Sequence, residues 1–183
     1  MSARDEARIS FRDADEAGRW HAVNDGVMGG VSQGRLQAEG DLGVFTGRLS
    51  LEHGGGFASI RRAPVDEARE QTPGGPRSAS LERALGQARG VRLRVRGDGR
   101  PYQLRLRSER LVEGAAYRAR FATTGEWQTI DLPWDAFEAV FRGRRLEDAP
   151  PLAPDAIRQL GFLIADRREG PFRLEIATLE ALP

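Results

Sequence analysis

Apolar and polar residues alternate along this chain with a period of two over runs of four to eight positions, glycines punctuate the runs, and helical spacing is scarce. That rhythm marks strands with one face buried and one in water, and it limits the chain to folds built from short strands. The clearest run is Val91-Arg92-Leu93-Arg94-Val95-Arg96, with aliphatic side chains on one face and arginines on the other. Gly97-Asp98-Gly99 follows as a turn signal, and Tyr102 to Arg107 continues the alternation with Tyr102, Leu104 and Leu106 inward, so the spacing predicts a hairpin. Further strands are predicted at Val44 to Leu51, Phe57 to Arg61 after the triple glycine 54–56, Tyr117 to Phe121, Trp127 to Leu132, Leu160 to Ala165 and from Phe172 through Ile176. The near-continuous apolar run 160–165 suits a central strand buried on both faces, and a C-terminal hairpin is expected to join it to the last strand.

Two stretches depart from the pattern. Residues 63–90 begin polar, pass through Thr72-Pro73-Gly74-Gly75-Pro76, and then place Leu81, Ala84, Leu85 and Ala88 at helical spacing, which reads as a flexible insertion followed by a short amphipathic helix. Phe141 to Pro154 carries charges and three prolines and reads as a long surface loop, while Trp134-Asp135-Ala136-Phe137 reads as a short helical turn. Many short strands with one or two short helices fit an all-β jelly-roll β-sandwich better than a parallel α/β fold, which needs a helix between successive strands. The 183 residues suit a single domain.

The chain has no cysteine, which excludes disulfides, thiolate nucleophiles and cysteine metal sites. All 28 basic residues are arginine, a bias that the coding preference of a GC-rich genome explains, and the net charge of +1 argues against a nucleic-acid binder. There is no apolar run long enough to span a membrane, and Met1 to Arg8 lack both a signal-peptide core and the acid-poor bias of a transit peptide, so a cytoplasmic location is expected. His21 and His53 are the only histidines and belong to no recognisable catalytic arrangement; catalysis is not expected.

The stretch Trp20-His21-Ala22-Val23-Asn24-Asp25-Gly26-Val27-Met28-Gly29-Gly30-Val31-Ser32 resembles the N-terminal segment of the complex I intermediate-associated protein 30 family. The resemblance continues through Phe45-Thr46-Gly47, Gly55-Gly56-Phe57-Ala58-Ser59, Arg96-Gly97-Asp98-Gly99 with Tyr102, Gly125-Glu126-Trp127, Phe141-Arg142-Gly143-Arg144, Ile157 to Gly161 and Gly170-Pro171-Phe172. It implies a jelly roll of the galactose-binding-like type, related in shape to carbohydrate-binding modules, and the mitochondrial members assist assembly of respiratory complex I. The chain departs from the family at His53 and Gly54, where asparagines are usual, and in the length of the insertion at 63–90. The resemblance also allows a structural calcium ion near the chain termini; no loop identifies its ligands, and no cofactor is expected.

The candidate binding residues form two groups. Asp25 and Met28 sit in the glycine-bearing segment 25–30, which either exposes amides to a ligand or serves as a fold-defining turn. Between Arg89 and Arg120 ten arginines face only Asp98, Glu109 and Glu113. If the strands are neighbours, Arg92, Arg94, Arg96, Arg105, Arg107, Arg118 and Arg120 share one face, either an ordinary solvated surface or a grip for the carboxylates of a protein partner. Trp20 and Trp127 are expected in the core, whereas Trp134, at a turn, together with Tyr102 would serve the rival reading of a carbohydrate-binding module working through the concave face.

Overall fold

Each run that the alternation marks as a strand lies in one of two antiparallel sheets packed face to face. The computed structural model describes residues 8–63 and 77–183. The strands among the described residues are β1 (Arg8–Ser10), β2 (Trp20–Ala22), β3 (Gln33–Glu39), β4 (Leu42–Leu49), β5 (Ala58–Arg62), β6 (Gly90–Arg96), β7 (Tyr102–Ser108), β8 (Ala115–Phe121), β9 (Trp127–Pro133), β10 (Glu138–Phe141), β11 (Arg144–Arg145), β12 (Ile157–Ile164) and β13 (Gly170–Leu182), and an α-helix, α1 (Arg77–Gly86), lies between β5 and β6. A six-stranded sheet runs β3-β4-β13-β6-β9, with β1 also paired to β13; a seven-stranded sheet runs β11-β10-β8-β7-β12-β5-β2.

The inward set of each strand fills the space between the sheets. Phe45, Leu93, Val95, Leu174 and Ile176 from one sheet meet Ile60, Leu104, Leu106, Ala119 and Phe162 from the other, all essentially buried. Phe45 packs edge-on to Phe172 at 4.9 Å between ring centroids, and Tyr102 links both layers by contacting Phe45 and Phe121. The helix expected from the spacing of Leu81 and Leu85 forms, and both side chains are buried in this core. The flexible part of the insertion, at residues 64–76, lies outside the described residues.

The structure corrects the predicted pairings. β6 does not form a hairpin with β7: it pairs with β9 and β13, whereas β7 pairs with β8 and β12. The turn at 97–99 therefore carries the chain from one sheet to the other. β12 and β13 are likewise in different sheets, so the expected C-terminal hairpin is also a crossing. A crossing preserves the inward alternation as well as a hairpin does, because both sheets face the same core, so period-two patterning does not distinguish them. Buried Arg100 ties the two crossings together: it forms an ion pair with Asp166 at 2.6 Å and donates to the carbonyls of Pro171, at 2.9 Å, and Arg168. The stretch expected as a loop from Phe141 opens instead with a tight hairpin, β10 to β11, through Arg142 and Gly143, which both have positive φ. Arginine rarely takes that conformation, so the turn has no residue signal in its first position.

Candidate functional site

Positions 25–32 hold a knot. Asp25 is wholly buried, and its carboxylate accepts hydrogen bonds from the amides of Ser32 at 2.9 Å, Gly56 at 2.7 Å and Phe57 at 3.3 Å. Burial alone would raise this carboxyl's pKa; the hydrogen bonds from Ser32, Gly56 and Phe57 outweigh it and hold the group below the usual carboxylate range. A Cβ on Gly30 would lie 2.4 Å from Asp25 Cγ, and one on Gly55 2.5 Å from Asp25 Oδ2. The glycines thus let two loops close over the carboxylate, and Asp25 offers no exposed atom to a partner. Met28 ends the 3-10 turn that starts at Asp25, and its side chain lies outside the described residues.

The arginine rows do not share one face. Arg92, Arg94 and Arg96 stand on the outside of the six-stranded sheet; Arg105, Arg107, Arg118 and Arg120 stand on the outside of the seven-stranded one. Two of the first set are neutralised in place. Arg92 pairs with Asp131 at 2.7 Å, Arg96 with Glu175, and Arg94 donates to Thr129 at 3.2 Å. Trp127, expected in the core, lies outside with them: the guanidiniums of Arg94 and Arg96 sit 5.7 and 5.3 Å from its ring centroid. Parity explains the difference, since Ile130 and Leu132 face in and Trp127 stands opposite Arg96 in the β6–β9 register.

The second set forms a site. Across the seven-stranded sheet the register runs His21, Arg61, Gly161, Arg105, Arg118 and Glu138, one residue from each of β2, β5, β12, β7, β8 and β10. Gly161 leaves the middle of this row without a side chain, and a shallow groove of about 40 Å³ opens there, lined by Ser59, Arg61, Arg105, Arg107, Gln159 and Leu163 among others. Glu138 takes Arg118, with Arg118 Nη2 at 2.9 Å and Nε at 3.1 Å from Oε1. Among the described residues Arg61, Arg105 and Arg107 form no ion pair. Arg105 donates to Gln103 Oε1 at 3.0 Å. Burial, and after it the charges of Arg118, Arg61 and Arg107, push the Arg105 guanidinium down to about 10, and burial followed by Arg107 lowers Arg61. These cations destabilise one another.

Arg61 is the residue that the sequence reading missed. Its neighbour Arg62 points into the core, where Glu16 takes it at 2.7 Å and also accepts from the Trp20 indole at 3.2 Å; Arg61, one step along, points out. The alternation of Ser59 and Arg61 carries that signal, but a charge count begun at Arg89 does not include it. The aromatic candidates fall outside the groove. Tyr102 is buried and donates to Asp98 at 3.0 Å, with burial and then Asp98 raising its pKa, and Trp134 is half-buried and donates to the Ala88 carbonyl at 2.8 Å. No group of three or more His, Asp or Glu side chains converges as a metal site among the described residues. No helix among them is long and apolar enough to cross a membrane.

A family model described as complex I intermediate-associated protein 30 matches residues 9–176. The mouse (Mus musculus) mitochondrial complex I intermediate-associated protein 30 is 28% identical over 181 residues, which covers 94% of this chain and 55% of that protein. The Drosophila melanogaster protein of the same description is 27% identical over 186 residues, covering 92% and 60%. The chain therefore spans a little over half the length of these relatives. Among solved structures, a family 11 carbohydrate-binding module from Clostridium thermocellum in complex with a β-1,3-1,4-mixed-linked tetrasaccharide superposes with a TM-score of 0.60 at 14% identity, covering 96% of each chain. A family 30 carbohydrate-binding module superposes with a TM-score of 0.50 at 10% identity, covering 88% of this chain and 82% of that one. These likenesses bear out the jelly-roll sandwich of the galactose-binding-like type.

Proposed function

The chain belongs to the complex I intermediate-associated protein 30 family, and from that premise we propose that it is a non-catalytic binding module of the assembly-factor kind, which holds a protein partner on the outer face of its seven-stranded sheet. One observation carries the reading: Arg61, Arg105 and Arg107 crowd a groove with no carboxylate partner among the described residues, while on the opposite face Arg92 and Arg96 are paired with Asp131 and Glu175 and only Arg94 has a neutral partner. Fixed like charges raise the energy of the free protein and are relieved when a ligand brings the opposite charge, so the groove favours an acidic partner. The family name supports a protein as that partner. We place the protein in the cytoplasm, and fractionation of the native cell tests that location.

The rival reading, a carbohydrate-binding module, draws on the fold, since the family 11 module holds a tetrasaccharide. It lacks a stacking surface here: the tryptophans and Tyr102 lie on the far face, in the core or beside the helix side of the sandwich, not in the groove.

Capture from native lysate with crosslinking tests the proposal, comparing wild type, Arg105→Glu with Arg107→Glu, and Arg94→Glu as the opposite-face control. A partner retained by wild type and by Arg94→Glu but lost by the double variant supports the reading. Equal retention by all three overturns the groove as the binding surface.

A further inference from the structure

Three features give the groove a specific geometry. First, its floor cannot be filled from within, because a Cβ on Gly161 would lie 2.3 Å from the Ile60 carbonyl oxygen, so the gap between Arg61 and Arg105 is imposed by the packing of β12 on β5. Neighbouring strands lie about 4.8 Å apart, which sets the backbones of Arg61 and Arg105, two strands apart, at about 10 Å with an open position midway. A group seated over Gly161 is within reach of both guanidiniums. Second, Arg105 and Arg107 are two residues apart on β7 and point to the same side, which spaces their origins by about 6.8 Å along the strand. Third, the remaining polar lining is neutral: Ser59, Gln159 and, beside the groove, Gln103, whose oxygen already accepts from Arg105 and so holds that guanidinium in place.

We infer that the groove receives an extended acidic segment of the partner with carboxylates at alternate residues, running alongside β7, one carboxylate over Gly161 between Arg61 and Arg105 and the next at Arg107. The match is one of period. An extended chain places residues i and i+2 on one side about 6.8 Å apart, the same interval that separates Arg105 from Arg107. A helical acidic segment spaces its same-side residues about 5–6 Å apart, a shorter interval than that of the extended chain. Planar guanidiniums suit carboxylates because two parallel N–H groups meet two oxygens. The inference rests on the proposed reading that the partner is a protein, and it adds the conformation and charge spacing of the segment bound.

Fluorescence anisotropy with labelled probes tests it on the intact chain. The probes are a heptapeptide Thr-Glu-Thr-Glu-Thr-Glu-Thr, its isomer Glu-Thr-Thr-Glu-Thr-Thr-Glu, in which no two glutamates are two residues apart, an oligogalacturonate and a neutral mixed-linked β-glucan tetrasaccharide, each at low and high salt. The alternating peptide is expected to bind about tenfold or more tighter than its isomer. Arg105→Gln is expected to weaken it by about ten- to a hundredfold, the equivalent of losing one charge-assisted contact, and Arg94→Gln to leave it unchanged. Equal binding of the two peptides overturns the spacing while leaving an acidic protein partner standing. Oligogalacturonate binding with neither peptide bound overturns the protein reading and keeps an anion groove. Tightest binding of the neutral glucan, insensitive to salt, overturns both, and failure of every probe overturns the inference. The wild-type comparisons decide these points even if a variant is poorly folded.

Discussion

The carboxylate of Asp25 is the point at which a single atom exchange gives the largest expected return. Replacing Asp25 by Ala removes the acceptor for three amides, one of them in the buried backbone of Ser32 and two, at Gly56 and Phe57, partly reachable by water. A stranded buried donor costs about 1–3 kcal/mol, so one full penalty and two reduced ones come to about 3–5 kcal/mol. A domain of this kind has only about 5–15 kcal/mol to lose. Asp25→Asn keeps the shape but turns an NH2 toward a donor, for a loss of about 2–3 kcal/mol. Gly30 provides an internal control, because the three atoms nearest to a Cβ built there all belong to Asp25. Gly30→Ala should cost about 1–3 kcal/mol in the wild type by overpacking and much less beside Asp25→Ala, a coupling of about 1 kcal/mol or more. Urea unfolding with constant slope measures the wild type and the four variants. Losses under about 0.5 kcal/mol for both Asp25 variants, or the same Gly30→Ala cost in both backgrounds, would refute the knot as a stabilising device.

Arg100→Ala should destabilise by about 3–5 kcal/mol, because it leaves the buried Asp166 carboxylate without its ion pair, and Arg100→Met combined with Asp166→Leu should cost less than the single change in the same assay. Both Asp25 and Asp166 have folded pKa values below their ordinary ones, so the stability they contribute is present above about pH 4 and is lost as pH falls through the depressed folded values. The urea midpoint should therefore drop progressively below about pH 4, and less steeply for Asp25→Asn. Arg92→Ala breaks an ion pair that solvent reaches on both sides; thermal unfolding should register less than about 1 kcal/mol, and partner capture should be unchanged.

Strands β4 to β9, β12 and β13 were legible in the sequence because alternation reports directly which side of a strand is wet, whereas β1, β2, β3, β10 and β11 went unmarked. Sheet membership was not legible. Val91–Arg96 and Tyr102–Arg107 carry the same inward rhythm whether they are neighbours or opposites, and it is Arg100, a residue with no sequence mark of burial, that secures the crossing. Parity was underused rather than absent. Counted from Leu132, Trp127 falls on the outward side, and counted from Ile60, Arg61 does too. The knot was half visible: the glycines and Asp25 announced a tight segment, but its partners Gly55, Gly56 and Phe57 lie about thirty residues on, at a separation that local spacing does not reach.

The row across the seven-stranded sheet draws one residue from each of six strands, and its side chains point away from the core. Changes at positions 21, 61, 105, 118 and 138 can therefore accumulate without requiring the interior to repack, and they are coupled only through charge, as in the Arg118–Glu138 ion pair and the mutual repulsion of Arg61, Arg105 and Arg118. Such a surface behaves as a set of linked dials on a fixed chassis. Exchanging guanidiniums for rings or amides along the row would readdress the same sandwich to a different class of partner, so that in this architecture a new specificity lies a few codons, not a new fold, away.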